Sequence, residues 1–100
     1  TVLGAYAISK AADHHLTRCL AAEWGPKNVR VNAIAPGLIV TDFAKALWED
    51  EKRRKEREEQ TPLRRLGVPR DIGGSAVFLA SEAAAFITGQ VIVADGGVTV

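Results

Sequence analysis

Methionine is absent from this sequence, even at position 1. A reading frame starts with methionine, so Thr1 is expected to be an internal residue and the chain a fragment of a longer protein. The lack of a leader segment therefore carries no information about targeting. Cysteine occurs once, as Cys19, which excludes an intramolecular disulfide framework and a cysteine-rich zinc site. No apolar run approaches the ~20 residues of a membrane helix, so no membrane partner is expected. Neither sign of charge is in excess. Thirteen Lys+Arg stand against 12 Asp+Glu, a net charge of +1, which removes any global electrostatic case for a nucleic-acid partner. What remains is 100 residues, 47% of them hydrophobic and 25% charged, an ordinary globular composition with a thin core at this length.

The order of elements follows from periodicity and punctuation. Residues 1–25 are alanine-rich with no internal proline and predict one long helix, stopped by Gly25-Pro26 with Gly25 at the capping position. Its many small residues predict close packing on more than one side. Residues 28–35 combine Val29, Val31 and Ile34 and end at Pro36-Gly37, which predicts a strand covered on both faces. Residues 36–60 read as a loop followed by a helix in two halves, apolar to Trp48 and charged from Glu49. The pairs Glu49/Arg53, Asp50/Arg54 and Glu51/Lys55 have the favourable i,i+4 order. Pro69 opens a helix over 69–81 with Asp71 near its positive end and an apolar stripe of Ile72, Ala76, Val77, Leu79 and Ala80. Residues 90–94 form a second short buried strand, closed by the Asp95-Gly96-Gly97 turn. Helix, strand, helix, helix, strand is an α/β pattern whose two strands, joined through the Pro69 helix, form one βαβ crossover. Two strands make a poor sheet, so the neighbouring strands are expected elsewhere in the parent chain.

Tyr6 and Lys10 stand four residues apart on the first helix and share a face. They read either as a surface or half-buried aromatic beside a solvated lysine or as an acid/base unit. A phenol titrates near ~10, so exchanging a proton near neutrality costs roughly 4 kcal/mol. A unit positive charge ~5 Å away, at an effective dielectric of ~20, offsets about 3 kcal/mol of that. Other candidates have plainer readings. His14 and His15 are adjacent, diverge by ~100° on a helix and do not chelate one metal, so no metal site is expected. Cys19 reads as a buried, inert thiol. Lys52-Arg-Arg-Lys55 is flanked by acids and reads as a solvated face. Asn32 reads as a structural hydrogen-bonding residue.

Tyr6-Ala-Ile-Ser-Lys10-Ala-Ala12 resembles the Tyr-x-x-x-Lys signature of the short-chain dehydrogenase/reductase family. Val29-Arg-Val-Asn-Ala-Ile-Ala-Pro-Gly37 resembles that family's sixth strand and its Pro-Gly turn. Leu66-Gly-x-Pro69-x-Asp71, Phe78-Leu-Ala-Ser81, Ile87-Thr-Gly89 and Val93-Ala-Asp-Gly-Gly97 resemble the later landmarks in order, so the resemblance runs through essentially the whole chain. It implies the C-terminal part of a single Rossmann-type domain, a doubly wound parallel sheet, incomplete without its N-terminal part. It further implies an NAD(P)-dependent oxidoreductase, cytoplasmic and assembled as a dimer or tetramer, that transfers hydride between NAD or NADP and a small carbonyl/alcohol substrate. Tyr6 would be the general acid/base. Lys10 would assist it and hold the nicotinamide ribose. Pro36 and Gly37 would shape the loop that receives the nicotinamide, the Ile39 backbone would meet the carboxamide, and the Thr41 hydroxyl would face the carboxamide or a phosphate. Ligands of open α/β sheets sit beyond the carboxyl ends of strands, which agrees. Residues 38–50 would form a substrate lid, with Phe43, Leu47 and Trp48 either touching substrate or packing in the core.

The family's Thr-Gly-x-x-x-Gly-x-Gly loop is not in this sequence, and its catalytic serine and asparagine would lie upstream of Tyr6. The fragment alone is therefore expected to be inactive. The alternative to a catalytic role is an oligomerisation piece or an inactive relative, carried by the small-residue face around Ala5, Ala12 and Ala22 and by residues 76–93.

Overall fold

The alanine-rich start of the chain forms the longest element, helix α1 (Val2–Trp24). The computed structural model describes residues 2–42 and 45–99, the side chains at positions 2, 3, 46 and 47 excepted. A 3₁₀ turn, Gly25–Lys27, follows α1, and then come strand β1 (Ala33–Pro36), helices α2 (Lys45–Trp48), α3 (Glu51–Gln60) and α4 (Pro69–Ala80), a second 3₁₀ turn, Glu82–Ala84, and strand β2 (Val91–Ala94). No helix among the described residues is long and apolar enough to cross a membrane. The strands pair in parallel: the Ala33 N–H donates to the Gln90 carbonyl at 2.9 Å and the Gly37 N–H to the Ala94 carbonyl at 3.0 Å.

The chain divides into two compact units. The first runs to Ala33 and takes in Phe78–Ile92; the second comprises Ile34–Val77 and continues from Val93. In the first, α1 ends at Trp24, where Gly25-Pro26 predicts, but Gly25 is not its left-handed cap. Pro26 cannot continue the α-helical ladder, the backbone tightens into the 3₁₀ turn, and Asn28 takes the left-handed conformation at φ 60° with its N–H on the Gly25 carbonyl. Asparagine tolerates that conformation better than most side chains. Strand pairing begins at Ala33, later than residue 28, because the preceding backbone is used differently. The Val31 N–H donates to Thr88 Oγ1 and the Gly89 N–H to the Val31 carbonyl. Asn32 then does the work of a backbone unit: its Nδ2 donates to the Ile87 carbonyl at 3.0 Å and its Oδ1 accepts from the Gln90 N–H at 3.1 Å. This is the structural role its composition suggested.

Among the described residues of this unit Thr17, Ala21 and Ala84 are buried, and Thr17 satisfies its hydroxyl on the Asp13 carbonyl. Most of α1 is exposed, contrary to the close packing its small residues predict, and Cys19 is exposed as well. The β-strands, expected to be covered on both faces, are half-buried, with Val93 exposed. A two-stranded sheet has two open edges and cannot cover itself.

The second unit is stitched by loops. Asp50 caps α3 by accepting from the Lys52 and Arg53 N–H groups, which is why the charged half separates from α2. Among the expected ion pairs, Glu51–Lys55 forms at 3.7 Å. Asp50 pairs instead with Arg53, Arg54 with Glu58 and Glu49 with Lys45, because capping turns Asp50 back towards the first turn. The α4 stripe is half-buried at Ile72 and Leu79 and exposed at Ala76, Val77 and Ala80. Leu66 and Thr61 are buried, in the chain between α3 and α4.

At the end of β1 the two chain segments run so close that only glycine fits. A Cβ on Gly37 would stand 2.8 Å from the Asp95 Cα and 2.9 Å from its Cβ. The Asp95 carboxylate fixes its own turn by accepting from the Gly97 N–H at 2.8 Å and the Thr99 N–H at 3.1 Å. Gly37→Ala is therefore expected to lower stability by about 1–3 kcal/mol, read as an earlier urea midpoint in the full-length protein. An unchanged midpoint would show that the two backbones separate freely.

Candidate active site

Four residues on a helix amount to just over one turn, so α1 displays Tyr6 and Lys10 on one side. The Lys10 Nζ stands 5.4 Å from the centroid of the Tyr6 ring. Tyr6 is 60% exposed, which leaves its phenol open to a reactant. Ser9, between them, donates its hydroxyl to the Tyr6 carbonyl at 2.7 Å. Sequence reading missed a third participant: Asp13, one turn beyond Lys10, draws the ammonium to 3.7 Å from its Oδ2. Its i,i+3 spacing from Lys10 was the available signal. Both side chains of that ion pair are well exposed, so it is a weak, salt-screened contact.

The second set of residues lies in the loop that leaves β1, within the other unit. Gly67 forms a parallel bridge with Ile39, donating its N–H to the Leu38 carbonyl at 3.0 Å and accepting the Val40 N–H at 2.8 Å. In such a bridge the central residue turns its own N–H and C=O to the opposite edge. Ile39 thus presents one donor and one acceptor side by side, without a partner among the described residues. Gly67 leaves room for the Ile39 side chain, whose terminal Cδ1 lies where a Cβ would stand. The Thr41 carbonyl accepts from the Trp48 Nε1 at 2.8 Å, so half-buried Trp48 is tied to the loop through its polar atom. Pro36 is exposed and Gly37 half-buried at the loop's start. Phe43 and the Leu47 side chain fall outside the described residues.

A cluster that sequence reading noticed only in part supports the bridge. Arg65 grips Asp71 with two parallel bonds, Nη1 to Oδ2 at 2.8 Å and Nη2 to Oδ1 at 3.0 Å. The same Asp71 Oδ2 accepts the Val68 N–H at 2.7 Å, as the third residue of a capped helix does. Arg65 also donates to the Leu66 carbonyl. The Arg65 guanidinium, and after it the Val68 N–H, hold the Asp71 carboxyl well below the usual carboxylate range. Asp71 in turn raises Arg65, chiefly through the same bonds. The Gly97 N–H does most to lower Asp95. Asp71 at the helix start was legible, but the arginine six residues earlier was not, because helix periodicity does not relate them.

The model of a family described as Enoyl-(Acyl carrier protein) reductase matches residues 1–99. The pig protein Dehydrogenase/reductase SDR family member 4 is 48% identical over 95 residues, which are 95% of this chain and 34% of that protein. A solved 4-hydroxyisoleucine dehydrogenase complexed with NADH superimposes with a TM-score of 0.91 at 38% identity, covering 96% of this chain and 40% of that one. A gluconate 5-dehydrogenase from Burkholderia cenocepacia, in complex with NADP and tartrate, gives 0.88 at 36% identity over 94% of this chain and 37% of that one. The chain therefore spans about a third of the length of the curated relative it matches. Its α/β architecture is that of the Rossmann-type dehydrogenases.

The depressed Asp71 carboxyl has a consequence for acid stability. Its folded value lies below the ordinary 3.8, so the stabilisation is complete above that value and is lost as the pH falls through the folded one. Comparing wild type with Asp71→Asn by urea unfolding should give a constant deficit for the variant at pH 6–8. The deficit should shrink steadily as the pH falls below about 4. A deficit independent of pH would mean that packing, not charge, is what the substitution removes.

Proposed function

Because this chain belongs to the short-chain dehydrogenase/reductase family, we propose that the protein is an NAD(P)-dependent oxidoreductase acting on a small carbonyl/alcohol pair. The placement of the Lys10 ammonium 5.4 Å from the Tyr6 ring, on an exposed helix face, carries the reading. Relatives that bind NADH or NADP support both forms of the cofactor. The residues present suit a nicotinamide riboside. The Ile39 N–H and C=O match a carboxamide donor for acceptor, and the three Lys10 donors suit vicinal ribose hydroxyls.

A dinucleotide held by these residues would supply or accept the hydride. During reduction Tyr6 donates its phenolic proton to the carbonyl oxygen, and the Lys10 charge stabilises the phenolate left behind. During oxidation the phenolate takes the hydroxyl proton instead. Pro36 and Gly37 would set the path of the loop, the Ile39 backbone would hold the carboxamide, and the Thr41 hydroxyl would serve the carboxamide or a phosphate. Phe43, Leu47 and Trp48 border the substrate. Replacing Tyr6 with Phe in the full-length protein should reduce kcat by about 10²–10⁴ and leave dinucleotide affinity within about twofold. Turnover close to wild type would remove Tyr6 from the proton transfer.

Exposure favours a second, compatible reading in which this segment also assembles copies of the protein. Ile8 is 72% exposed, Val77 71% and Phe86 fully so, apolar side chains that a second copy would cover in such an assembly. Sedimentation velocity of the full-length protein should then show a dimer or tetramer at micromolar concentration. A monomer under those conditions would refute assembly.

A further inference from the structure

The Ile39–Gly67 bridge fixes the direction of the two backbone groups assigned to the carboxamide, and Gly67 has no side chain with which to hold its own place. What holds it is the pair of residues on either side. Leu66, before it, gives its carbonyl to the Arg65 Nη1 at 3.1 Å. Val68, after it, gives its N–H to the Asp71 Oδ2 at 2.7 Å. The same guanidinium and the same carboxylate then close on each other through two parallel bonds, so the two peptide units that flank Gly67 sit inside one ring of charge-assisted hydrogen bonds. The Asp71 N–H completes it on the Val68 carbonyl at 2.8 Å.

We propose that Arg65 and Asp71 are positioning residues for the nicotinamide end of the dinucleotide, acting through Gly67 on the Ile39 backbone. Neither side chain touches the cofactor. Each sets the orientation of the Gly67 peptide units, and Gly67 sets that of Ile39 through the bonds to Leu38 and Val40. A bidentate arginine clamp suits the task because its planar fork resists rotation, whereas a lysine supplies charge without fixing direction. The inference rests on the nicotinamide assignment above and adds to it that the clamp acts on one half of the dinucleotide alone.

Titration calorimetry on the full-length protein separates the possibilities, with NADH and NADPH as whole-cofactor probes and ADP-ribose or its 2′-phosphate as the half that lacks nicotinamide. Asp71→Asn should weaken the preferred dinucleotide by about fivefold to tenfold and the matching ADP-ribose by less than about twofold. Arg65→Lys should give an intermediate loss on the same half, and Arg65→Ala the full one. Amide exchange without cofactor should quicken at Val40 and Gly67 in each variant, because their N–H groups form the bridge. In steady state the cofactor KM should rise more than kcat falls. Equal weakening of both probes, or unchanged binding with unchanged exchange at Val40, would overturn the clamp and leave the oxidoreductase reading standing. A wild-type protein that binds ADP-ribose and its 2′-phosphate no more weakly than NADH or NADPH would overturn the nicotinamide assignment and the clamp together. If Asp71→Asn does not fold, the Arg65→Lys comparison decides alone.

Discussion

Two backbone hydrogen bonds at one glycine fix the part of this chain most suited to receiving a ligand. Gly67 spans Leu38 and Val40, and the geometry of a parallel bridge then leaves Ile39 facing the other way. No side-chain chemistry is needed for that edge to be polar. Side chains decide only whether the bridge stays in place, and three local features serve it. Gly67 carries no Cβ where the Ile39 side chain lies. Asp71 reaches back from the first turn of α4 to the backbone next to Gly67. Trp48 ties the loop's far end through the Thr41 carbonyl. The loop is thus built like an added strand residue, with one edge satisfied and the other open.

Much of this organisation is legible in the sequence because it follows from local rules. Alanine content and Pro26 give the first helix and its end, Pro69 and Asp71 give the start of α4, and the β-branched clusters give two short strands. Tyr6 and Lys10 share a face because four residues make about one turn. Non-local geometry is what escapes. Nothing in the spacing of Arg65 and Asp71 announces a bidentate pair, since a loop and a proline separate them. Nothing at Asn32 says that its amide replaces a backbone unit between residues 87 and 90. The left-handed turn fell on Asn28 and not on Gly25, because three residues of 3₁₀ geometry intervene once proline has interrupted the helix.

Burial is the other property that one hundred residues predict badly. Small residues along α1 and mixed apolar positions in both strands signal surfaces meant to be covered, and the signal concerns composition, not coverage. In this chain Leu16, Val77 and Val93 remain open to solvent. A two-stranded sheet cannot shield both its faces, whatever its sequence. Exposed apolar helix faces beside a well-formed backbone are therefore what such a chain must show.

The same exposure bears on the chemistry of Tyr6. At ~5 Å a unit charge stabilises a phenolate by about 3 kcal/mol when the effective dielectric is ~20, but by less than about 1 kcal/mol when water fills the gap. Tyr6 and Lys10 are both largely in solvent, and Asp13 shares the Lys10 ammonium. Covering the helix face with a flat heterocycle and a substrate, as the proposed function requires, would exclude that water and strengthen the attraction several-fold with no movement of either side chain. Asp13 would gain from the same change and compete harder for the ammonium. The hydroxyls of a ribose held as proposed would offset this by giving the lysine fixed partners close to the ring. In the proposed function, acid/base competence at Tyr6 would therefore be a property of the loaded site: the helix provides the spacing, and the ligand would provide the low dielectric in which the spacing acts.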